Sequence, residues 1–114
     1  MDSVIKKLRS FAVRFDPWFT VVLAPVIEET MFRLLPYLAI LSYPQQFWTI
    51  IISSNILFAA KHWYFGLIFT IIAFLAGLFY WWLMINFGIL AAILGHSLIN
   101  ILWLKSGLFK KGNF

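Results

Sequence analysis

Six ionisable residues stand inside stretches that are otherwise apolar: Glu28, Glu29, Arg33, Lys61, His62 and His96. A charged side chain at the middle of a membrane-crossing helix costs on the order of 2.5–3.5 kcal/mol on insertion scales. Such residues persist where they are paired, wet or needed for chemistry, and their spacing narrows the choice. In APVIEETMFR, Glu29 and Arg33 are four apart, so they share a helix face and can pair. Glu28 is turned about 100° from Glu29 and lacks that partner. In NILFAAKHW, Phe58 and His62 share a face in the same way. In GHSLIN, His96 and Asn100 form a third four-residue pair, near the middle of the last apolar run. Each pair alone reads as interhelical glue. Three on separate helices can face one cavity, as sites in bundle cores do. There a carboxylate and a histidine can activate water, while a histidine and an amide donate to a developing oxyanion. Those are the parts needed to hydrolyse a peptide bond.

Other hydrolytic chemistries lack their residues. No HExxH zinc motif is present. The only aspartates, Asp2 and Asp16, lie outside the apolar runs, so no aspartyl dyad forms there. Ser97 adjoins His96 but projects about 100° away, and no GxSxG turn exists. Ser53 and Ser54 read as small packing residues. The absence of cysteine removes disulfides, iron–sulfur clusters and thiolate zinc sites. What remains is glutamate-activated water, or a metal held by Glu28, His62 and His96.

The elements that must position these residues follow from composition and periodicity. Hydrophobic residues make up 63% of the 114 and charged residues 11%, against roughly 45–50% and 25% in a soluble domain. Lipid must therefore be the solvent for most of the chain. The expected fold is all-α: a polytopic transmembrane bundle of about four spans, preceded by an amphipathic interfacial helix. Val4, Ile5, Leu8, Phe11, Ala12 and Phe15 form one stripe in a basic stretch that lies on the membrane surface. Asp16-Pro17 caps the first span, which runs from about Trp18 to Leu41. The second runs from about Phe47 to Trp63, the third from Leu67 to Ile85 and the fourth from Ile89 to Leu104. Turns fall at 42–46, 64–66 and 86–88. Residues 1–16 thus form the interfacial segment, 17–105 the membrane core and 106–114 a basic tail.

Four spans place both ends on one side. Lys6, Lys7, Arg9, Arg14, Lys105, Lys110 and Lys111 lie at the ends, and the loops at 42–46 and 86–88 carry no charge. The positive-inside rule makes both termini cytoplasmic. The net charge of +5 therefore reads as topology and lipid contact, and nucleic acid is not an expected partner. Lys61 reads as snorkelling to the cytoplasmic interface, with steering of an anionic C-terminus as the alternative. The many aromatic residues read as an interfacial belt, with a groove for a lipidated substrate as the alternative.

With the three motifs in view, the chain resembles the CPBP family of intramembrane proteases, the CAAX-processing type II and bacteriocin-processing (Abi) group. That family is marked by EExxxR, FxxxH and then HxxxN or HxxxD. Here they stand as Glu28-Glu29-Thr30-Met31-Phe32-Arg33, Phe58-Ala59-Ala60-Lys61-His62 and His96-Ser97-Leu98-Ile99-Asn100. The glycine-containing span AFLAGLFYWW before the third motif also agrees. The resemblance covers about residues 20 to 105. It implies a glutamic-type peptidase with Glu28 as general base, assisted by His62. His96 and Asn100 would form the oxyanion hole, and Glu29 and Arg33 would hold the site together, with Phe58 in support. No cofactor is expected; a divalent metal such as zinc would fall to Glu28, His62 and His96.

Family members commonly carry further spans before the EExxxR helix, so the chain resembles a minimal core. Its expected partners are membrane lipids, a peptide or lipidated protein substrate, and partner helices or further copies that shield the cavity. The expected location is the plasma membrane of a prokaryote. Two non-peptidase readings compete: a membrane scaffold or bacteriocin-immunity protein on the same fold, and a small proton or ion carrier.

Overall fold

The computed structural model describes residues 2–6 and 19–106. Residues 2–6 are helical; the rest of the expected interfacial helix, the Asp16-Pro17 cap and the tail after Ser106 lie outside the described residues. No strand occurs among those described.

The first helix, α1 (19–42), is not a uniform α-helix. It alternates a π segment at Phe19–Leu23, an α segment at Ala24–Glu29, a π segment at Thr30–Leu34 and an α segment at Leu35–Ser42. The cause is in the sequence. Pro25 and Pro36 have no N–H to continue the i→i−4 ladder, and their rings crowd the carbonyls one turn earlier. Each π segment ends two residues before one of these prolines, where a widened turn relieves the crowding.

A 3-10 turn at Pro44–Gln46 leads into α2 (Phe47–Ala60). That helix stops three residues short of the expected Trp63. His62 adopts φ −94°, ψ 3°, and the chain tightens into a 3-10 turn at Trp63–Phe65. The longest helix, α3 (Leu67–Phe87), starts after Gly66 and ends at Gly88, before α4 (Ile89–Ser106). The two glycines have φ of 115° and 97°, a region that side chains disfavour, so they permit the sharp reversals at both ends of α3.

α3 lies against both α2 and α4, while α1 crosses the bundle, its first half on α4 and its second half on α2. α3 and α4, with 21 and 18 residues and mean hydropathies of 2.2 and 1.5, are long and apolar enough to cross a membrane. The two π segments interrupt α1, and α2 has 14 residues, about 21 Å at 1.5 Å per residue. Two of the four expected spans therefore meet the requirement by length and composition.

Polarity is distributed inside out. Leu90, Leu94, Leu98 and Leu102 run as an exposed stripe down α4, and Leu67, Ile68 and Trp48 are also exposed. Glu29, Arg33, Asn55 and His96 are buried instead. An apolar exterior around a polar interior fits a chain solvated by lipid. The apolar core has two parts. One is Ile40, Ile51, Trp81, Met84 and Ala92; the other is Phe58, Ala59, Ala73 and Tyr80.

Gly77 sits where three helices meet. A Cβ there would overlap Asn55 Oδ1 and Arg33 Nη2. Gly77→Val should therefore destabilise the protein by about 1–3 kcal/mol, read as a lower melting temperature of the purified protein in detergent. Unchanged melting would mean that the helices do not approach this closely.

Candidate active site

The buried Arg33 guanidinium organises the interior. Its Nη1 donates to Glu29 Oε2 at 3.3 Å, one turn back on α1. Its Nη2 donates to Asn55 Oδ1 on α2 at 2.9 Å and to the Gly77 carbonyl on α3 at 2.7 Å. The guanidinium also lies 4.3 Å from the centre of the Phe58 ring, a cation–π distance. Asn55 continues the chain of donors, with Nδ2 on the Phe74 carbonyl at 2.9 Å. The expected Glu29–Arg33 pair is thus present, and it ties three helices together. Glu29 Oε1 and Arg33 Nε are buried with no hydrogen-bond partner among the described residues.

His96 on α4 closes the network from the fourth side. Its Nδ1 is 2.7 Å from Glu29 Oε2. An ionised carboxylate only accepts, so Nδ1 carries the proton and donates. Nε2 then faces Glu28 Oε1 at 3.4 Å. Tyr80 stacks on the imidazole, with centroids 4.5 Å apart and planes at 15°. The adjacent glutamates therefore differ as the helix angle requires: Glu29 is fully buried, and Glu28 is 13% exposed.

Glu28 pairs with Lys61 as well as facing His96. Lys61, expected at the membrane interface, is 40% exposed, and its ammonium meets Glu28 Oε2. Next to it, His62 Nδ1 donates to the Phe58 carbonyl at 2.9 Å, which leaves Nε2 as an acceptor. Phe58 is buried and meets both histidine rings edge-on, at 5.1 Å for His62 and 5.8 Å for His96. Asn100 Nδ2 donates to the Thr20 carbonyl at 2.8 Å. In a π register that carbonyl's donor would be the N–H of Pro25, which does not exist, and the amide takes its place.

A cavity of about 150 Å³ is lined by Glu28, His62, His96 and Asn100, together with Lys61 and Tyr80. At roughly 30 Å³ per water it has room for about five. The four residues expected to do chemistry thus share one cavity; Phe58 lines it as well, and Glu29 and Arg33 are buried behind it. Asn55, Gly77, Tyr80 and Thr20 were missed by sequence reasoning. Asn55 carried a signal, since it lies seven residues before His62 on the same helix face. The roles of Tyr80 and Thr20 depend on which helices adjoin.

The residues expected to hold a metal, Glu28, His62 and His96, do not stand as a ligand group in the structure. Among the described residues, no three His, Asp or Glu side chains form a group able to hold an ion. Glu28 faces an ammonium that a cation would have to displace, while each histidine commits only Nδ1 to a protein acceptor, as ligating histidines also do.

A family model described as Rce1-like, type II CAAX prenyl endopeptidase, matches residues 11–102. Neither a curated protein nor a solved structure matches the chain.

Arg33→Met leaves Glu29 buried without its cation and should cost about 3–5 kcal/mol. Adding Glu29→Leu should recover part of that loss, because the stranded charge is then gone. The check is thermal unfolding of both variants in detergent; a double variant no more stable than the single would contradict the pairing.

Proposed function

This chain belongs to the Rce1-like family of type II CAAX prenyl endopeptidases, and we propose that it cleaves peptide bonds with water activated by Glu28. The family is one of proteases, so the chain is an integral membrane peptidase of the CAAX type acting on a peptide or protein substrate. The observation that carries the proposed mechanism is the shared cavity, where a carboxylate, two histidines and a primary amide meet.

In this mechanism a water lies between the Glu28 carboxylate and His62 Nε2. Glu28 takes one proton as the oxygen attacks the peptide carbonyl, and His62 orients the other through its free lone pair. The carbonyl oxygen becomes an oxyanion and accepts from the second amide hydrogen of Asn100. His96 supplies a second donor at Nε2 when it carries a proton there. Its Nδ1–H stays on Glu29, so only the doubly protonated ring donates there. Glu28 then passes its proton to the departing amine, which restores the base. Glu29 and Arg33 position His96 without touching substrate.

No step in this scheme uses a metal. Four spans with both termini cytoplasmic, in the plasma membrane of a prokaryote, fit the basic ends and the uncharged loops. The cavity then opens toward the cytoplasm, where His62 and Lys61 lie in the turn after α2. Bacteriocin leaders and lipidated C-termini are the substrate classes to separate, and self-association is the partner arrangement to test.

The test compares peptide ends by mass spectrometry in membranes of cells carrying wild type or Glu28→Gln at equal level. A species cleaved only with wild type is expected, with activity lowered by about 10³-fold or more in the variant, and its ends identify the substrate. Cleavage by purified protein should persist after chelation. Matching membranes, with the cellular phenotype retained by Glu28→Gln, would replace catalysis with a scaffold or immunity role. Loss of cleavage on chelation, restored by zinc, would replace the glutamate mechanism with a metal one.

A further inference from the structure

Among the described residues lining the cavity, Lys61 is the one lysine or arginine. Arg33 is buried behind it and committed to Glu29, Asn55 and Gly77. Lys61 pairs with Glu28 Oε2 where its own side chain is 40% exposed and that of Glu28 is 13% exposed. The carboxylate therefore lies within the cavity while the lysine reaches it from the mouth. His96 Nε2 faces the other oxygen, Oε1. One oxygen of the base is thus held by the ammonium in the resting site.

A carboxylate held by an ammonium is a poor proton acceptor, so Lys61 must release Glu28 before water can be activated. The released ammonium cannot be left alone. Tyr64, Phe65 and Trp103 also line this cavity, and an unpaired charge among aromatic walls is costly. A flexible four-carbon stem lets the lysine move from one anion to another.

We propose that Lys61 passes from Glu28 to the C-terminal carboxylate of the incoming peptide, so that one residue both locks the empty site and selects substrates by their free carboxylate. This inference rests on the peptidase reading above. The charges agree with it. When Glu28 takes the proton from water it becomes neutral and can no longer balance Lys61, and the peptide carboxylate replaces it as the counter-ion. A C-terminal amide brings no anion, and the lock stays closed.

The experiment uses the full chain in detergent micelles. The probes are a fluorescent peptide of apolar residues ending in a free carboxylate and its C-terminal amide twin. Each is made with cleavable bonds and again with a reduced, uncleavable backbone. Wild type should bind and cleave the acid at least about tenfold better than the amide, as expected for one charge-assisted contact. Lys61→Met should bind both alike and cleave the amide at least as fast as wild type does; Lys61→Arg should keep the preference. Equal binding of acid and amide by wild type, or a preference that survives Lys61→Met, would overturn the proposal. Acid-selective binding that disappears in Lys61→Met, without cleavage of either peptide, would uphold carboxylate recognition and overturn the peptidase reading instead.

Discussion

A guanidinium removed from water needs partners within the protein, and in this bundle Arg33 finds them through its two terminal nitrogens, with Nε left unpaired among the described residues. Its donors reach a carboxylate on its own helix, an amide on α2 and a backbone carbonyl on α3. Glu29 extends the network to His96 on α4. Four helices are thus joined through one buried charge. Apolar packing alone could not fix their relative rotation here, because lipid is as apolar as the side chains it would replace. A polar network has few satisfied arrangements, and each places the helices in a definite register.

The same constraint explains the small residue at the centre. Arg33 can reach the Gly77 carbonyl only because no side chain stands between them. Phe58 and Tyr80 cover the guanidinium, at 4.3 Å and 5.3 Å from their ring centres, and so exclude lipid from it without competing for hydrogen bonds. Tyr80 also stacks on His96, so the residues that shield the ion pair hold the histidine in place. Stability and site geometry rest on the same contacts.

The division of work between the two adjacent glutamates is a property of the helix. A rotation of about 100° sends Glu29 into the network and Glu28 toward the cavity. The π segments before and after this stretch come from prolines placed eleven residues apart, Pro25 and Pro36. They leave the backbone with groups that side chains must satisfy, and Asn100 does so at Thr20. The amide proposed to bind the oxyanion is thereby held by a backbone defect on another helix.

Much of this was legible in the sequence. The Glu29–Arg33 pair, the separate direction of Glu28 and the Phe58–His62 spacing follow from 3.6 residues per turn, which needs no tertiary information. The helix breaks at Gly66 and Gly88 follow from the conformational freedom of glycine, and the apolar composition set the solvent. The end of α2 did not follow, because no proline or glycine marks the stop between Ala60 and Trp63, while the backbone turns at His62. Nor did the partner of Lys61. A lysine near a helix end has water, headgroups or a buried carboxylate open to it, and local spacing cannot choose among them. Asn55, Gly77 and Tyr80 likewise gain their roles only from the helices beside them. Periodicity fixes which way a side chain points from its own axis; what it meets there depends on how four axes pack, and only the folded bundle decides that.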